Sequence, residues 1–531
     1  MPVHTGGELL ARSLAAHGVD VVFGIPGNHN LGIYQHLGPA GIRHVLGRHE
    51  QGCAYAADGY ARVSGQPGVV LVTAGPAVLN TLAALGQAYS DSVPVLLLSP
   101  GMPLRHPYRG NGHLHETRDQ HAAVDAVVAV SARVTSVAEI GDAVSHAFAD
   151  MTAGRPRPVH LEVPIDVLDE SADTELGRPV PLSKPTAPPD QLTRAAALLA
   201  EAARPGIVVG GGARFAAPEV CRLAERLGAG VVASTNGKGT LPEDHPLSLG
   251  AGAHLPAVAD WVRTRDVLLA VGTDLGPSDL WNGPWQLDGS LVRIDIDPRQ
   301  IVINARPDVA LVSDAAPALG SLLEWLGEAP ERLLNVGETA DWSSRIRSEA
   351  AAEGGLWHRE IQAMGEVLAR DAIVTGDSAA VCYYGLRANL PLYKPGSFLY
   401  PTGYGTLGYG LPAAIGAKVA APERQVVAVL GDGGVMFTIA ELASAAAEGL
   451  AIPVIVVDNG GYGQIRQNMQ RRGYPPLGVD IPSPDFAAIG RAMGCHGVTI
   501  ESPEHLGEEL AKALVADRPT VLHIMEGGTS A

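Results

Sequence analysis

Residues 431–463 read GDGGVMFTIAELASAAAEGLAIPVIVVDNGGYG, and this stretch decides the fold. Val426 to Leu430, just before it, is a short apolar run of buried-strand type. Gly431-Asp432-Gly433-Gly434 breaks that run. Thr438 to Glu448 has helical composition, and Ile452 to Val457 is a second run of strand length. Strand, helix and strand in this order predict a parallel pair. Asp432 and Asn459 then stand at the carboxyl ends of strands, where α/β sheets bind ligands. Asp432 offers a charged oxygen, Asn459 a neutral one, and the glycines let backbone amides approach phosphate oxygens. Hard oxygen ligands beside a diphosphate suit Mg²⁺.

A Gly-Asp-Gly turn alone reads equally as a tight turn opening a helix. Asn459, 27 residues after Asp432 with a helix and a strand between, makes the pattern specific. The stretch resembles the cofactor motif of the thiamine diphosphate (ThDP) enzymes. That resemblance implies that Asp432, Asn459 and the Gly461 carbonyl hold the metal. It places the Gly433 and Gly434 amides on the diphosphate, with Gly431, Tyr462 and Gly463 completing the cofactor-binding loops.

A second motif lies in the amino-terminal third. Residues 49–62 read HEQGCAYAADGYAR, with Glu50 where a strand turns into a helix. An acidic residue there also complements the helix dipole. The pattern resembles the pyrimidine-side motif of the same enzymes, which gives Glu50 a chemical role. A carboxyl bonded to the pyrimidine nitrogen favours the imino tautomer, whose nitrogen takes the thiazolium proton. In this family the first domain of one chain faces the third domain of another. The resemblance therefore implies a homodimer, or a dimer of dimers, with its sites at the interface.

A third motif is GYGTLGYGLPAA at 403–414, similar to a stretch of acetolactate synthases. It implies a Gly405 carbonyl bonded to the pyrimidine amino group and Leu407 as a wedge under the bent cofactor. Leu407 stands where that family has Met. Asp377, Ser378, Ala379 and Ala380 match the other diphosphate loop, with Ala379 and Ala380 offering amides only. Pro26, Thr73 and Asn80 are further cofactor contacts on the same resemblance.

Length, 531 residues, suits three domains, and 46% hydrophobic residues can bury substantial cores. The βα rhythm of 1–170 predicts a pyrimidine-binding domain. Five prolines between 179 and 189 predict an extended linker, 190–330 a central α/β domain, and 355–531 a diphosphate-binding domain. The predicted fold class is α/β, three doubly wound parallel sheets of the pyruvate decarboxylase and acetolactate synthase architecture. Glu328 to Trp357 is more polar and reads as a connection. A net charge of −18 without a basic run disfavours nucleic acid. Four scattered cysteines without a CxxC predict reduced thiols and a cytoplasmic protein. No apolar run reaches the ~20 residues of a membrane span. Gly210-Gly211-Gly212 after a strand raises a dinucleotide loop, but GxGxxG is not met.

The implied substrate is a 2-oxo acid, decarboxylated to an enamine. Protonation then releases an aldehyde, and attack on a second carbonyl makes a carboligase of acetolactate synthase type. PGNH at 26–29, GNGHLHE at 110–116 and GTDLGPSD at 272–279 look like the guanidino-2-oxopentanoate decarboxylase branch. His115 stands where acetolactate synthases have glutamine, and their flavin-associated stretch is missing, so FAD is not expected. Asn28 and His29 are placed near the thiazolium by the resemblance, although His29 equally suits a helix cap. His113 and His115 are candidates for proton transfer. In an extended segment they face opposite ways, and His115 is the one favoured for the site. A non-catalytic regulatory homologue is the competing reading, opposed by the presence of Glu50, Asp432 and Asn459.

Overall fold

The computed structural model describes residues 3–110, 112–327 and 336–526. The expected domain ends at 330 and 531 lie outside these residues. Three parallel sheets carry the chain, joined by helices on both faces.

The first sheet runs, in spatial order, Arg43–Leu46, Val21–Gly24, Gly68–Leu71, Val95–Gly101, Val159–Pro164 and Val130–Arg133. The third runs Phe398–Leu399, Ile373–Gly376, Val426–Gly431, Pro453–Asp458, Thr520–Met525 and His496–Ile500. Counted along the chain, both orders are 2-1-3-4-6-5. The first and third units thus share one topology. The middle sheet, Gly230–Ala233, Pro205–Val209, Val267–Val271, Ser290–Asp295 and Val309–Val312, has the order 2-1-3-4-5. Inner strands such as Val95–Gly101 are buried at every residue, as a sheet covered on both faces requires. A short antiparallel pair, Val3–Thr5 with Ser171–Asp173, closes the first unit.

In each sheet the first and third strands are neighbours, and the connections leaving them diverge. The crevice between them is where such sheets bind ligands. In the first sheet that crevice lies between the loops after Gly24 and Leu71, in the third between those after Gly376 and Gly431.

The first and third units share one core. The helix Glu50–Ser64 crosses the helix Gly410–Ala420, and Tyr55, Ala56 and Ala57 pack with Tyr409, Ala413 and Ala414. Glycine permits the approach: a Cβ on Gly416 would lie 1.8 Å from the Ala56 carbonyl oxygen, and one on Gly59 would lie 2.2 Å from that of Ala413. Gly416→Ala is therefore expected to destabilise by about 1–3 kcal/mol through overpacking. Its urea unfolding midpoint should fall accordingly, and an unchanged midpoint would mean that the helices slide apart freely.

Two expectations need correction. The polar stretch read as a connection contains the helix Val336–Glu353. Only a narrow stripe, Ile346 and Ala350 with Trp342 beside them, packs on the central unit, so the apolar period is too sparse to read. The helix expected over 438–448 spans Glu441–Ala447, and Asp432–Val435 forms a turn of its own. The proline-rich stretch up to Pro188 has no helix or strand from Thr174 onward.

Candidate active site

The third sheet brings the Gly-Asp-Gly loop, the Asn459 loop and the Asp377 loop to one crevice. Asp432 begins the turn after Val426–Gly431, and Gly461 N–H donates to its Oδ2 at 2.7 Å. Ser483 Oγ donates to the same oxygen at 3.3 Å, and to Asp458 Oδ1 at 2.6 Å. Burial, then the Asp458 charge, pushes the Asp432 carboxyl above the usual range. Asn459 Oδ1 is buried without a hydrogen-bond partner. Tyr462 stands over Gly433, where a Cβ would lie 2.8 Å from its ring. Gly463 opens the next helix.

Asp377 turns inward. It is fully buried and accepts from Ser378 N–H at 2.8 Å and from Gly408 N–H at 2.8 Å. Its side chain therefore ties the loop 377–380 to the segment carrying Gly405 and Leu407, leaving Ser378, Ala379 and Ala380 at the crevice. Ala379 abuts Gly431, and Leu407 lies 3.8 Å from where a Gly434 Cβ would be. Burial raises the Asp377 pKa to about 6. A raised acid binds its proton more tightly folded than unfolded, so this group makes stability fall as pH rises from about 4 to 6. That fall is expected to flatten in Asp377→Asn, read by urea unfolding at several pH values; an unchanged slope would contradict it.

The first sheet supplies the other half. Glu50 is the first residue of its helix, capped by His49, and Asn80 Nδ2 donates to Glu50 Oε2 at 2.9 Å. Pro26, Asn28 and His29 lie in the loop after Val21–Gly24, which meets Thr73 at Gly27; the Thr73 Oγ1 is buried and unpartnered. His29 and His115 meet edge to face, ring centroids 4.8 Å apart, each with a buried, unpartnered Nδ1. Burial lowers the His29 pKa, and His115 and His113 push the same way. His115 sits in the left-handed region (φ +64°), which few non-glycine residues adopt, and packs on Gly75, where a Cβ would lie 2.5 Å from the His115 carbonyl oxygen. His113 points away, edge to face with His106 at 4.9 Å. The two histidines separate as expected, but a turn rather than an extended strand separates them.

Several contributing residues had no sequence signal. Asn30 pins the Pro26 loop, accepting from Gly27 N–H at 2.7 Å and donating to the Ile25 carbonyl at 3.1 Å. Glu441 accepts from Arg48 N–H and His49 N–H. Asp91 accepts from Gly403 N–H at 2.9 Å and Thr402 N–H at 3.2 Å, and pairs with Arg62 at 2.9 Å. In a single chain, then, the Glu50 turn rests on Glu441, while Asp432 is bonded to Gly461 and Ser483.

A cavity of about 510 Å³ lies elsewhere, between the three units at Arg155, Arg214 and the Gly211-Gly212 loop. Arg62 and Gly403, at the ends of two of the motifs, reach its walls, whereas Glu50, Asp377, Asp432 and Asn459 do not. A smaller one, about 330 Å³, adjoins His115, Gln120 and Glu162.

Three family models match in the order of the three sheets. They are the thiamine pyrophosphate enzyme N-terminal TPP binding domain (residues 4–123), central domain (192–322) and C-terminal TPP binding domain (379–524). The chain belongs to the thiamine pyrophosphate enzyme family. Among its relatives is the "Probable 2-ketoarginine decarboxylase" of Pseudomonas aeruginosa, 42% identical over 95% of this chain and 90% of the relative. The probable acetolactate synthase large subunit of Methanocaldococcus jannaschii is 34% identical (98% and 91%), and the acetolactate synthase large subunit of Parasynechococcus marenigrum 35% (98% and 88%). The residues present suit the family's cofactor. Asn459 Oδ1 lacks a partner, and its loop is bonded through the Asn459 and Gly461 N–H groups to the Asp432 carboxylate, so two kinds of hard oxygen stand together as a donor set for a hard cation. Among the described residues no helix is long and apolar enough to cross a membrane.

Proposed function

We propose that this thiamine pyrophosphate enzyme is a Mg²⁺-dependent, non-oxidative 2-oxo acid decarboxylase that releases an aldehyde. The His29–His115 pair carries that choice. Two imidazoles with unpartnered nitrogens stand at the crevice of the first sheet, and aldehyde release needs a proton donor there. When bound, ThDP supplies the electron sink for loss of CO₂. Asp432, Asn459 and the Gly461 carbonyl hold Mg²⁺. Amides of Gly431, Gly433, Gly434, Ser378, Ala379 and Ala380, with Tyr462 and Gly463, hold the diphosphate. Glu50, oriented by Asn80, keeps a proton at the pyrimidine ring, with Pro26, Thr73, Gly405 and Leu407 around it. His115, with Asn28 and His29, moves a proton at the substrate.

The units 1–170, 190–330 and 355–531 act as pyrimidine-binding, central and diphosphate-binding domains. Two chains share each site, in a homodimer or a dimer of dimers. Exposed Leu46 and Leu79 flank the Glu50 region, and exposed Tyr404, Met436 and Phe437 flank the third-domain loops; a second chain would cover them. FAD is not part of the enzyme, and the free cysteines suit a cytoplasmic setting.

The test supplies ThDP, Mg²⁺ and a panel of 2-oxo acids. It starts with the guanidino acid, because the 42% relative is named for 2-ketoarginine. One aldehyde per CO₂ supports the proposal. A product joining two substrates would replace it with the carboligase reading, which the acetolactate synthase relatives favour. Cofactor bound without CO₂ from any acid would contradict both.

A further inference from the structure

Away from the crevices, three metal-ligating side chains meet on the central unit. The helix Ala217–Leu227 presents Cys221 and Glu225 four residues apart, hence on one face. His245, on the segment after Gly230–Ala233, closes over them. Its Nε2 lies 4.0 Å from Cys221 Sγ and 3.3 Å from Glu225 Oε1. All three ligand atoms fall within 4.8 Å of one another. A tetrahedral ion bonded at about 2.3 Å to sulfur and about 2.1 Å to nitrogen and oxygen spaces its ligands about 3.4–3.6 Å apart. Small side-chain rotations bring the observed separations to that range.

We propose that Cys221, Glu225 and His245 bind one zinc-class divalent cation, with water in the fourth position. A thiolate and an imidazole select a soft or borderline ion over Mg²⁺. Binding releases the Cys221 thiol proton to solvent. Leu247 N–H points at His245 Nδ1 at 3.2 Å, so the neutral ring of the free protein carries its proton on Nε2. Loading moves that proton to Nδ1 through solvent exchange. The Leu247 N–H contact at Nδ1 and the Nε2–H contact with Glu225 are thereby given up for metal–ligand bonds.

The position gives the ion a mechanical consequence. The segment ending at His245 is also the one that docks on the third unit. Glu243 N–H donates to the Leu392 carbonyl at 3.1 Å, Leu392 N–H donates back to Glu243 Oε2 at 3.4 Å, and Asp244 pairs with Arg370 at 2.8 Å. An ion at His245 ties that segment to the helix Ala217–Leu227 and so staples the central unit against its neighbour.

The test titrates CoCl₂ into the reduced full-length protein with ThDP and Mg²⁺ in excess. Cobalt–thiolate charge transfer gives a near-ultraviolet band, and Cys53, Cys382 and Cys495 are buried elsewhere. One equivalent is expected to develop the band, Zn²⁺ to displace it, and Cys221→Ser to abolish it. Glu225→Gln, on an exposed side chain, is expected to weaken binding at least about tenfold, no less than loss of an outer-shell partner does. Zn²⁺ is expected to raise the thermal midpoint of the wild type and not of Cys221→Ser. No band in the wild type, a band that survives Cys221→Ser, or a midpoint indifferent to Zn²⁺ would overturn the proposal.

Discussion

Glu50→Gln is expected to lower kcat/KM for CO₂ release by about 10³-fold, within the usual range for removal of a general acid–base group. The variant keeps the shape of the side chain and its neighbour. Asn80 still finds an amide oxygen where it now donates to Glu50 Oε2. The helix Glu50–Ser64 stays capped by His49, whose ring accepts from Gln51 N–H. Thermal unfolding should therefore be nearly unchanged, and ThDP should still bind through the third-domain loops. In its proposed role the glutamate handles a proton and holds no substrate, so the loss should fall on kcat rather than on KM. Activity within tenfold of wild type would remove Glu50 from the chemistry.

The second large effect concerns stability. Asp91 ends the helix Pro76–Asp91 and lies under the segment that carries Gly405 and Leu407. Arg62 bridges it to Asp58, which in turn accepts from Tyr409 Oη at 2.6 Å. Burial pushes the Asp91 carboxyl up, and Arg62 works against that. Three donors converge on Asp91, from Arg62, Thr402 and Gly403, and each favours its ionised form. Asp91→Ala leaves the Arg62 guanidinium short of a partner and two backbone N–H groups without an acceptor. We expect about 3–5 kcal/mol of destabilisation. Asp91→Asn should lose less, since its amide oxygen still accepts. In the proposed arrangement the loosened segment carries Gly405 and Leu407 against the cofactor, so ThDP affinity should fall in parallel. A stable Asp91→Ala protein with unchanged ThDP affinity would show that the segment is held by other contacts.

The parts of the molecule legible in the sequence are those written locally. Gly-Asp-Gly, Asn459 and the strand between them lie within one βαβ unit, so spacing alone conveyed their meeting. The same holds for Glu50 at its helix start. What could not be read depends on distant partners. Asp91 meets Gly403 across 312 residues, and Arg48 meets Glu441 across 393. No local pattern marks either carboxylate. Asp377 was legible as a loop residue, but its inward turn toward Gly408 depends on a segment 31 residues further along the chain. The left-handed backbone of His115 falls in a turn closed by Glu116 N–H and the His113 carbonyl, and the Gly75 it packs on comes from a distant loop. The helix Val336–Glu353 was missed because its buried stripe is narrow.

The central claim is that Glu50 of one chain and Asp432 of another serve the same cofactor. Co-purified mixed dimers of Glu50→Gln and Asp432→Asn test it most directly. If sites are shared between chains, each mixed dimer holds one site with both carboxylates intact. Random mixing should then restore about a quarter of wild-type CO₂ release from two nearly inactive parents. If Glu50 and Asp432 act within one chain, every site in the mixture is broken, and activity no greater than that of the parents would contradict the account.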